Sequence, residues 1–316
     1  MVTESSAPRT LGSVLRAATN SAASGESLQR PTWRTGFAVL DRELGGGARA
    51  GHLVLLGGPP GLGKTTLALQ MARNMAASGA EVTYVCFEHD ERELLDRLLR
   101  LEAGLLDPDE LAIESLDDLV GGPVGRAARE SVARWADRLH LHQGTSATDV
   151  TALRAIVDEG NGRRIVFVDY LQKVAVGGAR TSEADRVTTV VEALKDAALE
   201  AQVPIVAIVA ADKPGLHGRT HLAELRGSTA LAYEADVALL LAAKWDVVAR
   251  HHLTYGVNPE RFHDYVVCFI EKNRAGRAGA AVEFRRRFDQ CRFHPECELV
   301  TEQLVDDRLF RDAVAP

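Results

Sequence analysis

Residues 53–66 read L-V-L-L-G-G-P-P-G-L-G-K-T-T. An apolar run comes first, and from Gly58 to Thr65 the spacing G-x-x-x-x-G-K-[ST] is met at every fixed position. Apolar residues at helical spacing follow (Leu67, Met71, Met75), and Gly79 ends them. This order is typical of loops that bind phosphate, because glycines let backbone N–H groups surround the oxygens. The stretch therefore predicts a strand, a phosphate loop and a helix.

The loop, of the Walker A type, predicts a nucleotide site in which particular side chains have particular roles. Lys64 would reach the β- and γ-phosphates, and the hydroxyl of Thr65 would ligate Mg²⁺. ATP and Mg²⁺ are the predicted cofactors. The predicted nucleotide-binding residues are Gly58, Pro59, Pro60, Gly61, Leu62, Gly63, Lys64, Thr65 and Thr66.

A carboxylate is needed to complete the magnesium site. Asp169 ends the apolar run 165–168, as in a Walker B strand. An aspartate at the carboxyl end of a central strand lies where α/β sheets bind ligands. We predict that Asp169 holds Mg²⁺ together with Thr65; the alternative is an aspartate that only caps a loop.

Hydrolysis also needs a group that orients or deprotonates water. Glu88 directly follows the β-rich run 82–87 and is the predicted residue for this role. Asp90 and Glu91 are close alternatives, and a solvated acidic turn without a catalytic role is a further one.

Apolar runs alternate with helical patterns along most of the chain, which predicts a parallel sheet covered by helices on both faces. After Gly256, short runs separated by turns predict antiparallel hairpins. Thr145 or Ser146 is predicted to cap a helix that reaches about Glu159. The predicted parallel strands are 53–56, 82–87, 139–142, 165–168, 204–210 and 237–241, and the antiparallel ones are 266–270, 281–284 and 292–293.

The predicted organisation has three parts. Residues 1–34 form an N-terminal tail in which one helix over 11–18 would place Leu11, Val14, Leu15 and Ala18 on one face. A helix this short is marginal alone and must dock on something; a disordered tail is the alternative. Residues 21–31 would be a linker. The α/β core is predicted at 35–295 and a C-terminal tail at 296–316.

Composition limits the function classes. The net charge of −7 excludes a uniformly basic nucleic-acid coat but allows a local basic channel. The start of the chain has no secretory pattern, and the longest apolar run, 203–211, is far shorter than the roughly 20 residues that span a bilayer. The four cysteines show no C-x-x-C spacing, and Cys291, His294 and Cys297 do not have a usual zinc spacing. We predict a reduced, cytoplasmic protein.

Several segments together resemble the RecA-type ATPase core, and in particular the C-terminal ATPase domain of replicative DnaB-type helicases. The sharpest likeness is V-D-Y-L-Q at 168–172, which is similar to the DnaB V/I-D-Y-L-Q. The other segments are T-G-F-A-V-L-D-R-E-L-G-G-G at 35–47, V-C-F-E at 85–88, L-R-G-S at 225–228, A-D-V at 235–237 and K-N-R-A-G at 272–276. The last also resembles a RadA motif, and RadA and KaiC share this class of core.

The resemblance implies a homo-oligomeric ring, usually a hexamer, with ATP at each interface. Lys272 and Arg274 would act in trans on the γ-phosphate of the neighbouring subunit; a solvated turn with two cations is the alternative. Two departures bear on function. The segment before Thr35 resembles only the DnaB linker helix, and Ala210 stands where the family has a glutamine that senses the γ-phosphate or couples it to DNA.

Rings of this family hold single-stranded DNA in the pore, mainly through its phosphates. Two locally basic segments, 173–186 and 213–226, could bind these phosphates. The alternative is that both are ordinary surface loops. The predicted nucleic-acid contacts are Arg180, Arg186, Lys213, Arg219 and Arg226.

The resulting prediction is an ATP-hydrolysing, DnaB-like ring motor on single-stranded DNA, a helicase-like enzyme of DNA replication or repair with replication or repair proteins as possible partners. The first alternative is a RadA- or KaiC-like ATP-driven switch or accessory ATPase without unwinding. The second is a nucleotide-binding assembly module with negligible turnover.

Overall fold

Nine strands form one continuous sheet in the computed structural model, which describes residues 10–24, 30–107, 122–159, 163–177, 182–211, 219–227, 229–256 and 258–305. A separate pair, β1 and β2, is antiparallel. The strands are β1 Thr32–Trp33, β2 Ala48–Arg49, β3 Leu53–Gly58, β4 Glu81–Cys86, β5 Leu139–Gln143, β6 Arg164–Asp169, β7 Ile205–Ala210, β8 Val237–Ala243, β9 Tyr265–Asn273, β10 Ala281–Arg287 and β11 Arg292–Leu299.

The order of strands in the large sheet is β11-β10-β9-β8-β3-β7-β6-β4-β5. The strands from β8 to β5 in this order are parallel, and β9, β10 and β11 continue the sheet in antiparallel fashion. The central parallel strands are buried along nearly their whole length, which is why they are continuous apolar runs. The predicted fold class, a mostly parallel sheet with C-terminal antiparallel hairpins, is confirmed.

Helices cover both faces of the sheet. The described helices are α1 Leu11–Ala23, α2 Ala38–Glu43, α3 Lys64–Ala77, α4 Glu91–Leu106, α5 Pro123–Ala133, α6 Val150–Asp158, α7 Glu183–Ala201, α8 Ala230–Glu234, α9 Lys244–Val247 and α10 Arg250–Tyr255. On one face α3 and α4 pack through Leu67, Met71 and Leu98. On the other, α6 and α7 pack through Leu153 and Val187. Two layers of helices therefore bury the parallel strands from both sides.

Three local predictions were wrong. Asp149, rather than Thr145 or Ser146, caps α6, because its carboxylate accepts the N–H of Ala152 at 2.9 Å. α1 continues to Ala23, beyond the predicted helix and into the predicted linker. The predicted loop 173–186 is shorter, because Ser182 caps α7 and Arg186 lies in its first helical turn.

The ends of the predicted core contact the rest of the chain. β1 pairs with β2, and β11 runs to Leu299. Further on, Gln303 accepts a hydrogen bond from the N–H of Ala249, just before α10. The boundaries at 34 and 295 stay predictions. Among the described residues, no helix is long and apolar enough to cross a membrane.

Candidate nucleotide site

A cavity of about 770 Å³ opens where β3 and β6 end, at the carboxyl edge of the parallel strands. This is the edge at which open α/β sheets bind ligands. The lining comes from segments that are far apart in the sequence. It consists of Pro60, Gly61, Gly63, Lys64, Thr65, Thr66, Glu88, His89, Glu93, Asp96, Arg97, Asp169, Tyr170, Ile208, Ala210, Ala211, Arg226, Phe288 and Cys291.

The phosphate loop joins β3 to α3, as predicted, and α3 begins at Lys64. Gly63 has φ +81° and precedes the helix in the left-handed conformation, which favours glycine. A Cβ there would also lie 2.6 Å from the ring of Phe288, so no other residue fits without movement. The loop thus directs the N-terminus of a fourteen-residue helix into the cavity.

Lys64 is half-buried, and its Nζ donates to the carbonyl oxygen of Pro59 at 2.8 Å, within the loop itself. Burial lowers the pKa of Lys64, while the carboxylates of Asp169 and Glu88 act in the opposite direction. The ammonium group therefore contacts the loop and is close enough to both predicted carboxylates to feel their charge, as expected for a phosphate-binding cation.

Asp169 is buried, with 1% of its surface exposed. Its Oδ2 accepts a hydrogen bond from the hydroxyl of Tyr84 at 2.9 Å, and its Oδ1 is a buried atom without a hydrogen-bond partner among the described residues. Burial raises the pKa of Asp169, whereas Tyr84 and the nearby Thr65 lower it. A buried carboxylate beside a threonine hydroxyl fits the hard oxygen ligands of Mg²⁺.

Glu88 lies in the turn after β4, exposed to the cavity. The two alternatives lie elsewhere. Asp90 caps α4, because its carboxylate accepts the N–H of Glu93 at 2.8 Å, and Glu91 is in the first turn of that helix and does not line the cavity. Of the three candidates, the structure places Glu88 beside Lys64 and Asp169.

Two residues of the site could not be found from local motifs. Tyr84 is fully buried on β4, stacks on Phe167 with ring centroids 5.7 Å apart, and has a pKa raised well above its ordinary value by burial. Its phenol therefore stays protonated and donates to Asp169. Phe288 follows the hairpin strand β10 and presents a ring, 36% exposed, beside Gly63. A tyrosine near the end of a strand that leads to Glu88 is the signal that the sequence offered.

Lys272 and Arg274 lie at the opposite edge of the sheet. Lys272 donates to the carbonyl of Ala232 at 2.7 Å, and Arg274 contacts Asp236 at 3.3 Å, just before β8. Counted along the paired strands, Lys272 and Arg274 lie about three residues, or about 10 Å, from Gly57. Neither cation can therefore reach the phosphate loop of its own chain.

The predicted nucleic-acid residues are only partly brought together. Arg226 borders the cavity and forms an ion pair with Glu183 at 2.8 Å. Arg186 lies in α7, and the guanidinium of Arg219 stacks on Phe269 at 4.1 Å. Arg180 and Lys213 lie outside the described residues.

The cysteine-histidine pattern at 291–297 does not come together as a site. Cys291 borders the nucleotide cavity, His294 lies in a separate surface pocket, and Cys297 is buried. In the described part of the chain, no group of three or more His, Cys, Asp or Glu side chains could hold a metal ion.

The sheet order and the phosphate loop beside Asp169 and Glu88 define a P-loop NTP hydrolase with a RecA-type fold. Residues 33–294 match the DnaB-like helicase C terminal domain family, and the chain belongs to that family. The predicted resemblance to this family is confirmed.

Individual relatives agree with this assignment. The replicative DNA helicase DnaB of Treponema pallidum is 28% identical over 211 residues, which cover 66% of this chain and 47% of that protein. The chain thus spans about half the length of such relatives. The DNA repair protein RadA of Campylobacter jejuni is 50% identical over 64 residues, 20% of this chain and 14% of that protein. A solved structure of a DnaB-like replicative helicase shares the fold, with a TM-score of 0.70 and 21% identity, covering 91% of this chain and 67% of that one.

Proposed function

We propose that this chain is an ATP-hydrolysing motor domain that acts on single-stranded DNA within a ring of copies, as a helicase-like enzyme of DNA replication. The observation that carries the proposal is the separation of charged groups between two sheet edges. Lys64, Asp169 and Glu88 border the cavity, while Lys272 and Arg274 lie about 10 Å away along the strands. A second copy is needed to bring these cations to the phosphates.

Within one copy, each group has a task in phosphoryl transfer. The loop amides and Lys64 would hold the phosphates of ATP, and Glu88 would orient or deprotonate the attacking water. Thr65 and Asp169 would hold Mg²⁺, which neutralises charge on the phosphates when bound. The exposed ring of Phe288 would pack against the base.

The ring arrangement has further support in α1. None of its residues is buried in the described structure, and Leu11 and Leu15 are 83% and 65% exposed. A short amphipathic helix needs a partner, and a neighbouring copy would supply one. A ring of six, a cytoplasmic location and partners among replication or repair proteins complete the proposal, on the basis of the family.

DNA would be bound by the segments 173–186 and 213–226, through Arg180, Arg186, Lys213, Arg219 and Arg226. Support comes from Arg226, which is exposed and lies where a strand bound beside the cavity could contact it. Because such binding is mainly to phosphates, affinity should fall steeply with salt.

The test is the rate of ATP hydrolysis with and without single-stranded DNA at fixed low salt. Stimulation by DNA is expected, together with loss of hydrolysis but retained nucleotide binding in Glu88→Gln. Glu91→Gln is the matched control, since this neighbouring carboxylate lies outside the cavity. Hydrolysis that survives Lys64→Ala would reject the site.

A mixing experiment tests the ring. Lys64→Ala and Arg274→Ala proteins should each be inactive, and their mixture should recover part of the activity, because one interface in a mixed ring combines the intact Lys64 of one copy with the intact Arg274 of the next. No recovery, in proteins shown by native mass spectrometry to assemble, would contradict action in trans.

One observation favours a second candidate, an ATP-driven switch or accessory ATPase of the RadA or KaiC kind. Ala210, at the cavity end of β7, has no polar side chain that could link phosphate to DNA. Hydrolysis that requires Glu88 but ignores DNA would support this candidate. Negligible hydrolysis with tight nucleotide binding would instead indicate an assembly module.

A further inference from the structure

Gln172 is a buried residue, 7% exposed, in the turn that follows β6 and Asp169. Its carboxamide bonds only to backbone groups of distant segments. Nε2 donates to the carbonyl oxygens of Ala210 at 3.2 Å and Arg226 at 3.1 Å, and Oε1 accepts the N–H of Ala210 at 3.2 Å. Both amide protons are thereby used, so the carboxamide holds three chain segments in one orientation.

These segments are the bases of the two regions predicted to contact DNA. Gln172 itself lies just before the first region, Ala210 just before the second, and Arg226 at the end of the second. The second region is closed at its base by the N–H of Arg226, which donates to Ala210 O at 3.2 Å, and by a bridge between Ala211 and Leu225. Gln172 thus adds hydrogen bonds at the point where the two ends of the second region meet, and the first region begins at the next residue.

The hydrogen-bonded segments around Gln172 also border the nucleotide cavity. Ala210, Ala211 and Arg226 border it, and the N–H of Ala211 donates to the carbonyl of Gly58, the first residue of the phosphate loop, at 3.3 Å. The side chain of Arg226 pairs with Glu183 at the start of α7, where the first region ends. One set of hydrogen bonds therefore joins the phosphate loop, the turn after Asp169 and the bases of the two regions.

We propose that Gln172 is the positioning residue that transmits the state of the nucleotide cavity to both predicted DNA-binding regions. The inference rests on the proposed function, because it takes DNA as the ligand of these regions. The transmission itself is a property of the hydrogen bonds and can be measured without DNA.

The chain offers a matched control for the loss of such a carboxamide. Gln70 on α3 is also buried and makes the same pair of bonds to one backbone unit, donating to Phe293 O at 3.0 Å and accepting Phe293 N–H at 2.8 Å. It does not contact either predicted region. Gln70→Met and Gln172→Met each remove a buried carboxamide that bonds to backbone, through two and three hydrogen bonds respectively, and only the second removes the proposed transmission.

The experiment is hydrogen exchange of the full chain with and without a non-hydrolysable ATP analogue and Mg²⁺. In the unaltered protein and in Gln70→Met, the analogue should change exchange in peptides from the phosphate loop and from 173–186 and 210–226. In Gln172→Met, protection of the phosphate loop should remain and the change in the two regions should be lost. Gln172→Glu, which keeps the acceptor for Ala210 N–H but loses both donors, should behave likewise and replaces the methionine variant if that fails to fold.

The inference is overturned if the two regions of Gln172→Met or Gln172→Glu still respond, if Gln70→Met loses the response equally, or if the unaltered protein shows none. A DNA-binding measurement on the same proteins separates the two proposals. Exchange that responds to nucleotide in a protein that does not bind single-stranded DNA would leave the transmission in place and reject the proposed function. Where DNA binds, its affinity should cease to depend on nucleotide in Gln172→Met.

Discussion

The two edges of the sheet each contain a buried aspartate, and the two carboxylates differ in the hydrogen bonds that they accept. Asp169, at the carboxyl edge, receives one hydrogen bond from Tyr84, and its Oδ1 has no hydrogen-bond partner among the described residues. Asp236, at the amino edge, receives bonds from Lys195 at 2.6 Å, from the N–H of Leu53 at 2.8 Å and from Arg274 at 3.3 Å.

The difference separates the carboxylate that we propose as a metal ligand from a structural one. Burial raises the pKa of Asp169, because few donors compensate its charge. Burial acts in the same direction on Asp236, but the bonds from Lys195 and Leu53 leave its pKa below the ordinary value. Among the described residues Asp169 Oδ1 has no hydrogen-bond partner and would be available to a cation, whereas Asp236 ties α7, β3 and β8 together and holds Arg274 at the edge that would face a neighbouring copy.

The largest expected effect is on folding, from Asp236→Asn. The substitution would leave the ammonium group of Lys195, 7% exposed, buried without its counter-charge. Losing one partner of a buried pair costs about 3–5 kcal/mol. Urea unfolding should show this loss.

Arg274→Ala is the control for that measurement, because the same carboxylate loses a partner that is 49% exposed. Exposed ion pairs contribute about 0–1 kcal/mol. Equal losses in the two variants would mean that Asp236 does not act through Lys195.

Asp169→Asn, unlike Asp236→Asn, should lower activity and not stability. Hydrolysis is expected to fall about 10²- to 10³-fold, as for other groups that stabilise charge in the transition state. The free energy of unfolding should stay the same or rise, because a poorly compensated buried charge is removed. Steady-state hydrolysis and urea unfolding of the same preparation check both parts; a large loss of stability would contradict the contrast with Asp236.

Tyr84→Phe tests whether the hydrogen bond from the phenol of Tyr84 to Oδ2 of Asp169 positions this carboxylate. The ring and its stacking on Phe167 remain, and only the hydroxyl is lost. Partners of metal ligands typically contribute about tenfold or more to metal affinity. The Mg²⁺ concentration needed for tight nucleotide binding, followed by fluorescence of a labelled nucleotide, should rise about tenfold. Tyr233→Phe, an exposed tyrosine at the other edge, should leave it unchanged.

The smallest effect is the pH dependence of the Asp236 contribution. Because the native pKa of Asp236 lies below 3.8, its charge stabilises the fold fully above that value, and the contribution is lost as pH falls through the lower native pKa. The stability difference between the unaltered protein and Asp236→Asn should therefore be constant from about pH 5 to pH 8 and shrink below pH 3.8. A difference that already shrinks between about pH 7 and pH 5 would contradict the assignment.

Contiguous motifs were predicted well, whereas one helix cap and the ends of some individual helices were not. The phosphate loop, the strand that ends at Asp169 and the switch to antiparallel strands after Gly256 all follow from short-range patterns. The cap of α6 was misplaced because several polar residues between 145 and 149 suit a helix start, and only the geometry of Asp149 selects one.

The sequence by itself determined the family, the phosphate loop and the candidate carboxylates, because the chemistry of phosphate binding requires certain residue types at short spacings. Only the tertiary structure decided that Glu88 and not Asp90 or Glu91 faces the cavity. It alone brought Tyr84 to Asp169 and Gln172 to Ala210 and Arg226. The physical reason is that these contacts join segments far apart in the chain, and they depend on strand order and helix packing, which no local pattern encodes.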